Sequence, residues 1–105
     1  MADGGSGAVD FGYLEGFAGG DKQVVEEVLA LFLQQAQAWG PGLSADNPGW
    51  GDLVHTIKGS ARGIGANALG DTCAHCEAYG VQGLVAVRSS LAAVVTAIEA
   101  YQARR

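Results

Sequence analysis

Four residues near the middle of the chain have the types and spacing to do chemistry. His55, Lys58, Gly59 and Arg62 stand at i, i+3, i+4 and i+7. At about 100° per residue in an α-helix they fall within a sector of about 100°. Trp50, Leu53, Val54, Ile57, Ala61 and Ile64 fill the opposite sector as an apolar stripe. The histidine is therefore on the wet face. Lys58, one turn on, can neutralise an anion held at the imidazole, and Gly59 leaves the ring uncovered. General acid–base catalysis calls for a pocket, an orienting carboxylate and a substrate site, and none is visible in the sequence. Attack of a ring nitrogen on a phosphoryl group requires less: an accessible nitrogen, positive charge for the phosphoryl oxygens and an in-line path. There is no glycine-rich nucleotide loop, so self-phosphorylation from ATP is not expected.

The elements that must hold this face follow from composition and period. The 105 residues suffice for one domain with a single core. Apolar residues make up 49% and charged residues 16%, the balance of a folding chain. A net charge of −5 argues against nucleic acid or an anionic membrane as partner. The longest apolar run, Leu91 to Val95, is far too short to span a bilayer. Met1 to Gly5 lacks the basic and apolar regions of a signal peptide, which predicts a cytoplasmic protein with reduced cysteines.

Residues 1–9 show no periodicity and are expected to be a flexible tail before a single domain over 10–105. Asp10 can cap a short helix bearing Phe11, Leu14, Phe17 and Ala18. Gly19-Gly20 ends it, and Asp21 caps a second helix from Lys22 to about Trp39, with Val24, Val25, Val28, Leu29, Phe32 and Ala36 at helical period. A glycine- and proline-rich loop follows, in which Asn47-Pro48 reads as an N-cap and first-turn pair for the helix of His55. That helix runs to about Ile64 and contains Gly49, Gly51, Gly59 and Gly63, each costing about 0.5–1 kcal/mol relative to alanine, so it must rely on packing of its apolar stripe. Asn67 reads as the cap of the next helix, Ala68 to Tyr79, with Leu69, Cys73, Cys76 and Tyr79 facing inward and Gly80 as the stop. The last helix, Leu84 to Ala103, offers Leu84, Val87, Leu91, Val94, Val95, Ile98 and Tyr101 to the core. No segment alternates as a strand. The pattern predicts an all-α, antiparallel four-helix bundle with a short additional N-terminal helix.

Cys73-Ala74-His75-Cys76 contains half of a zinc site, but the chain has no second pair of cysteines, and its other histidine is His55. On a helix Cys73 and Cys76 share the face of Leu69, which predicts small buried residues and no metal.

The run His55-Thr56-Ile57-Lys58-Gly59-Ser60-Ala61-Arg62-Gly63-Ile64-Gly65-Ala66 resembles the H-x-x-K-G-S-x-x-x-x-G-A signature of histidine-containing phosphotransfer (HPt) domains, helical bundles that relay phosphoryl groups in multistep two-component signalling. Gly20-Asp21 with Phe32, and Asn67-Ala68-Leu69 with Glu77, resemble flanking parts of the same family. The resemblance implies that His55 accepts a phosphoryl group from the aspartate of a receiver domain, in a response regulator or hybrid kinase, and passes it to another receiver. It implies that Lys58 contacts the phosphoryl group and Gly59 gives the partner clearance, while Ser60, Gly65 and Ala66 are structural. Arg62 reads equally as part of the docking rim or as a solvated charge. Gln34 or Gln35 could reach toward His55 from the preceding helix, as a polar neighbour does in some relatives, and the sequence does not choose between them; Gln35 is counted with Lys58, Gly59 and Arg62 among the contacting or docking residues. No cofactor is implied for this chain, and any Mg²⁺ would be bound by the receiver. A monomer without kinase activity is expected. The rival reading is a non-catalytic helical interaction module of the same shape, which would have no need of His55.

Overall fold

The computed structural model describes residues 7–104, and within them the chain forms five α-helices and no strand. They are α1 (Phe11–Phe17), α2 (Lys22–Trp39), α3 (Trp50–Gly63), α4 (Asn67–Tyr79) and α5 (Leu84–Ala103), with single 3₁₀ turns at Gly40–Gly42 and Val81–Gly83. The four longer helices make an antiparallel bundle. Each brings an apolar stripe at helical spacing to one shared core: Val25, Leu29 and Phe32 from α2, Val54, Ile57 and Ala61 from α3, Leu69, Cys73 and Cys76 from α4, and Val87, Val94 and Ile98 from α5. Phe32 meets Trp39 edge-on, ring centroids 5.4 Å apart. The apolar residues between Val81 and Ala103 are enough, by length and composition alone, to cross a membrane, but here Leu84, Val87, Leu91, Val94 and Ile98 lie in the core.

Local chemistry sets the starts of the first two helices. Asp10 Oδ1 accepts from the Tyr13 N–H at 3.0 Å, and Asp21 Oδ1 accepts from Gln23 and Val24. Seven residues are too few for a helix to persist alone, and α1 is secured by Phe11 stacked on Tyr101 (4.2 Å) and by the Tyr101 hydroxyl donating to Glu15 at 2.5 Å. Tyr101 is thus half-buried between core and solvent.

Some expectations need correction. Asn47 does not cap α3. Its Oδ1 accepts from the Gly49 N–H two residues on and its Nδ2 donates to Gly42 O, closing the loop on itself, so Gly49 takes the cap position without a side-chain bond. Nor does Asn67 cap α4, because the buried Ala66 occupies that position and Asn67 is already helical. Tyr79 faces solvent, 66% exposed, stacking on His75 one turn earlier. Of the expected tail, residues 1–6 lie outside the described residues, whereas Val9 is buried in the core.

The turn between α3 and α4 fixes the geometry of everything on them. Gly65 adopts φ +84°, the Ala66 N–H donates to Ala61 O (2.8 Å), and the Gly65 N–H donates to Arg62 O (3.3 Å). This is a Schellman closure, with small Ala66 and Ala61 packed inside it. The Asp10 N–H donates to Gly65 O at 2.9 Å, so the chain entering α1 straps the turn and carries Val9 into the core. A Cβ on Gly65 would stand 2.9 Å from Asp10 O. Gly65→Ala therefore combines a left-handed backbone with a clash. It is expected to lower the unfolding free energy by about 1–3 kcal/mol, read as a lower urea midpoint at unchanged slope.

Candidate functional site

The site lies on the outer face of the α3–α4 hairpin. Val54, Ile57 and Ala61 are driven inward, and the 100° step between residues then turns His55, Lys58, Gly59 and Arg62 outward. The His55 side chain is 69% exposed. A Cβ built on Gly59 meets nothing within 4 Å, so the approach beside the ring is open.

Opposite α3 is the residue that composition and spacing did not assign to the site. Glu77 and His55 are equidistant along the chain from Ala66, so the antiparallel hairpin sets them side by side. The His55 Nδ1–H donates to Glu77 Oε2 at 2.7 Å, and Lys58 Nζ donates to Glu77 Oε1. One carboxylate thus binds both groups, each oxygen serving one of them. The hydrogen bonds from Lys58 and then His55 hold the Glu77 carboxyl below the usual carboxylate range, against a smaller opposing effect of desolvation. An ionised carboxylate can only accept, so it selects the tautomer with hydrogen on Nδ1. Nε2 is left with its lone pair, and among the described residues it has no hydrogen-bond partner. In sequence Glu77 was marked only by its position, one turn after Cys73 at the edge of the inward stripe, and by the family resemblance of its flank, neither of which gives the register of α4 on α3.

Arg62 is one turn beyond Lys58 and its Nη2 donates to Asp71 Oδ1 at 3.3 Å. Gln34 and Gln35 are both exposed on α2, and neither hydrogen-bonds His55; Glu77 occupies that role. The two cysteines point into the core. Burial, followed by the neighbouring Cys76 and Glu77, pushes the Cys73 thiol up to about 11, so it is protonated and unreactive at neutral pH. Among the described residues no three His, Cys, Asp or Glu side chains come together as a metal site.

Residues 22–104 match the family described as the Hpt domain. This chain belongs to that family. It is similar to a solved structure, the histidine phosphotransferase ShpA from Caulobacter crescentus, with 54% identity, a TM-score of 0.84 and 92% of each chain covered. No curated protein sequence matches it. The Hpt domain is thus a histidine phosphotransfer protein of a phosphorelay in two-component signalling, built as a helical bundle. Receiver domains are the partners that membership in this family entails.

The shared carboxylate has a spectroscopic consequence. In the wild type, ¹⁵N–¹H correlation of the His55 ring at a pH where it is neutral should show the Nδ1–H form dominant, and in Glu77→Ala the Nε2–H form should rise. Because the Glu77 carboxyl is held below its ordinary range, the stability it contributes is complete above that range. It is lost as the pH falls through the lowered value. The acid limb of the unfolding profile should therefore be shallower in Glu77→Ala. The effect is small, because the carboxylate is partly exposed.

Proposed function

We propose that His55 is the phosphoryl acceptor and that Nε2 is the reacting atom. The observation carrying this reading is the pairing of an exposed ring with a carboxylate that occupies Nδ1 and leaves Nε2 free. When the phosphorylated aspartate of a receiver docks over this face, the Nε2 lone pair attacks phosphorus. The Nε2–P bond forms as the aspartyl O–P bond breaks, and that bonding pair leaves on the aspartate carboxylate. Nδ1 keeps its hydrogen, so the ring is cationic while phosphorylated and Glu77 stabilises it. A cationic ring is also the better leaving group when the carboxylate of a second receiver attacks. The same geometry serves both directions.

Lys58 supplies charge to the phosphoryl oxygens. Its ammonium has three donors and Glu77 takes one, so the others remain for the incoming group. Gly59 leaves clearance for the receiver backbone, and Arg62 stands at the rim of the docking face. Gln35, exposed on the neighbouring helix, is an outlying docking residue rather than a partner of the ring. The domain works without kinase activity and without a cofactor of its own, any Mg²⁺ being held by the carboxylates of the receiver. It acts as a monomer in the cytoplasm and binds neither membrane nor nucleic acid, a reading supported by its acidic charge and by the enclosure of its apolar stripes in one core.

Incubation with a phosphorylated receiver should give acid-labile, alkali-stable label that is absent from His55→Gln. Absence of label with a full panel of receivers would leave a binding module in its place. Lys58→Ala is expected to slow transfer by about tenfold or more, as loss of a charge-stabilising contact does, with little change in stability. Gly59→Leu should fold as well as the wild type, since the space around Gly59 is open, yet transfer slowly because the leucine stands where the partner approaches.

A further inference from the structure

The cations of this chain are few and unevenly placed. Of its six Lys and Arg residues, only Lys58 and Arg62 stand on the helix of His55. Arg88 reaches from α5 to the Leu43 carbonyl at 2.5 Å, and Lys22 and Arg104 line a recess with Glu15 and Glu26. The domain carries −5 overall, so its mean charge opposes approach to an anionic partner, and docking must be favoured locally. A receiver presents such a surface: its phosphorylated aspartate and the carboxylates that hold Mg²⁺. Lys58 is engaged with Glu77 and its side chain is only 22% exposed, whereas that of Arg62 is 47% exposed.

Arg62 is not a loose surface charge. Its stem lies directly over Gly70 of α4, where a Cβ would stand 2.8 Å from Arg62 Cγ and 2.9 Å from its Nε. Gly70 is buried in the interior of α4 with ordinary helical backbone, where glycine weakens a helix and conformation does not require it. What requires it is space, and Arg62 fills that space. Asp71, the next residue, accepts one guanidinium hydrogen bond and leaves the remaining donors open.

We propose that Gly70 and Asp71 are positioning residues that seat the Arg62 guanidinium at the rim of the His55 face, as a docking contact for carboxylate or phosphoryl oxygens of the receiver; this rests on His55 being the acceptor. The planar fork is suited to paired oxygens, and holding it flat on α4 lowers the entropy lost when the partner binds. Arg62 acts in association. Lys58 and Glu77 act at the ring.

The test uses the whole chain and the receiver domain of the source organism that labels it fastest, phosphorylated with acetyl phosphate. Initial labelling rates are measured against receiver concentration at low and at moderate salt. Arg62→Ala should raise KM about three- to fivefold, with kcat much less affected and a flatter salt dependence. Gly70→Ala changes no charge and adds helix propensity, so it should fold with an unchanged or higher thermal midpoint. It should nevertheless raise KM in the same direction, because its methyl group displaces Arg62. In the Arg62→Ala background Gly70→Ala should have no further effect. A wild-type KM in Arg62→Ala overturns the proposal, and so does a Gly70→Ala effect that persists without Arg62. Labelling that survives His55→Gln would instead overturn the acceptor reading. Titration of the unphosphorylated receiver then still decides the rim contact: an equal Kd for wild type and Arg62→Ala refutes it.

Discussion

The closure of α3 on α4 is the constraint on which the site depends. A single left-handed residue, Gly65, lets the carbonyls at the end of α3 find their donors within two residues and turns the chain back on itself. The shortness of that closure fixes the register of the two helices. Glu77 meets His55 far from the turn and Asp71 meets Arg62 close to it, and both pairs follow from one geometric fact. A longer loop would leave each residue in place on its own helix and still separate the pairs. The strap from Asp10 to Gly65 matters for the same reason, since it holds the turn from outside.

Around that hairpin the charges are arranged in opposition. Each cation on the polar face of α3 meets an acid on α4, Lys58 with Glu77 and Arg62 with Asp71. Such surface pairs contribute little to stability. Their effect is geometric, orienting groups that would otherwise sample many rotamers. Glu77 also determines which ring nitrogen carries the lone pair, a choice the histidine cannot make by itself. The bundle beneath has a simpler role, supplying a rigid floor of buried aliphatic side chains on which the exposed face is held still.

The open side of the site is as informative as the filled side. Among the described residues His55 is left largely uncovered, and Gly59 contributes only backbone beside it. Phosphoryl transfer needs water excluded and charge placed at the moment of reaction, which an exposed ring cannot arrange alone. With His55 as the proposed acceptor, the enclosure falls to the docking receiver, which would account for how few residues are needed on the Hpt side.

Much of this was legible in the sequence because it depends on local periodicity. Apolar spacing near 3.6 residues defined the helices, Asp10 and Asp21 capped the two they were expected to cap, and the helical phase of His55 placed it on the wet face. The motif around His55 was contiguous, so the family could be recognised from one helix. Caps at Asn47 and Asn67 were misjudged for tertiary reasons: the Asn47 side chain bonds Gly42 within the loop, and the turn that ties the Ala66 N–H to Ala61 O makes Ala66 the cap and starts α4 at Asn67. Val9 looked like tail because a lone valine has no period, and only the strap to Gly65 buries it. The pairing of Glu77 with His55, and the bed that Gly70 provides for Arg62, belong wholly to tertiary structure. A sequence states which residues share one helix face, whereas which faces oppose each other, and in what register, is decided by how the helices close and pack.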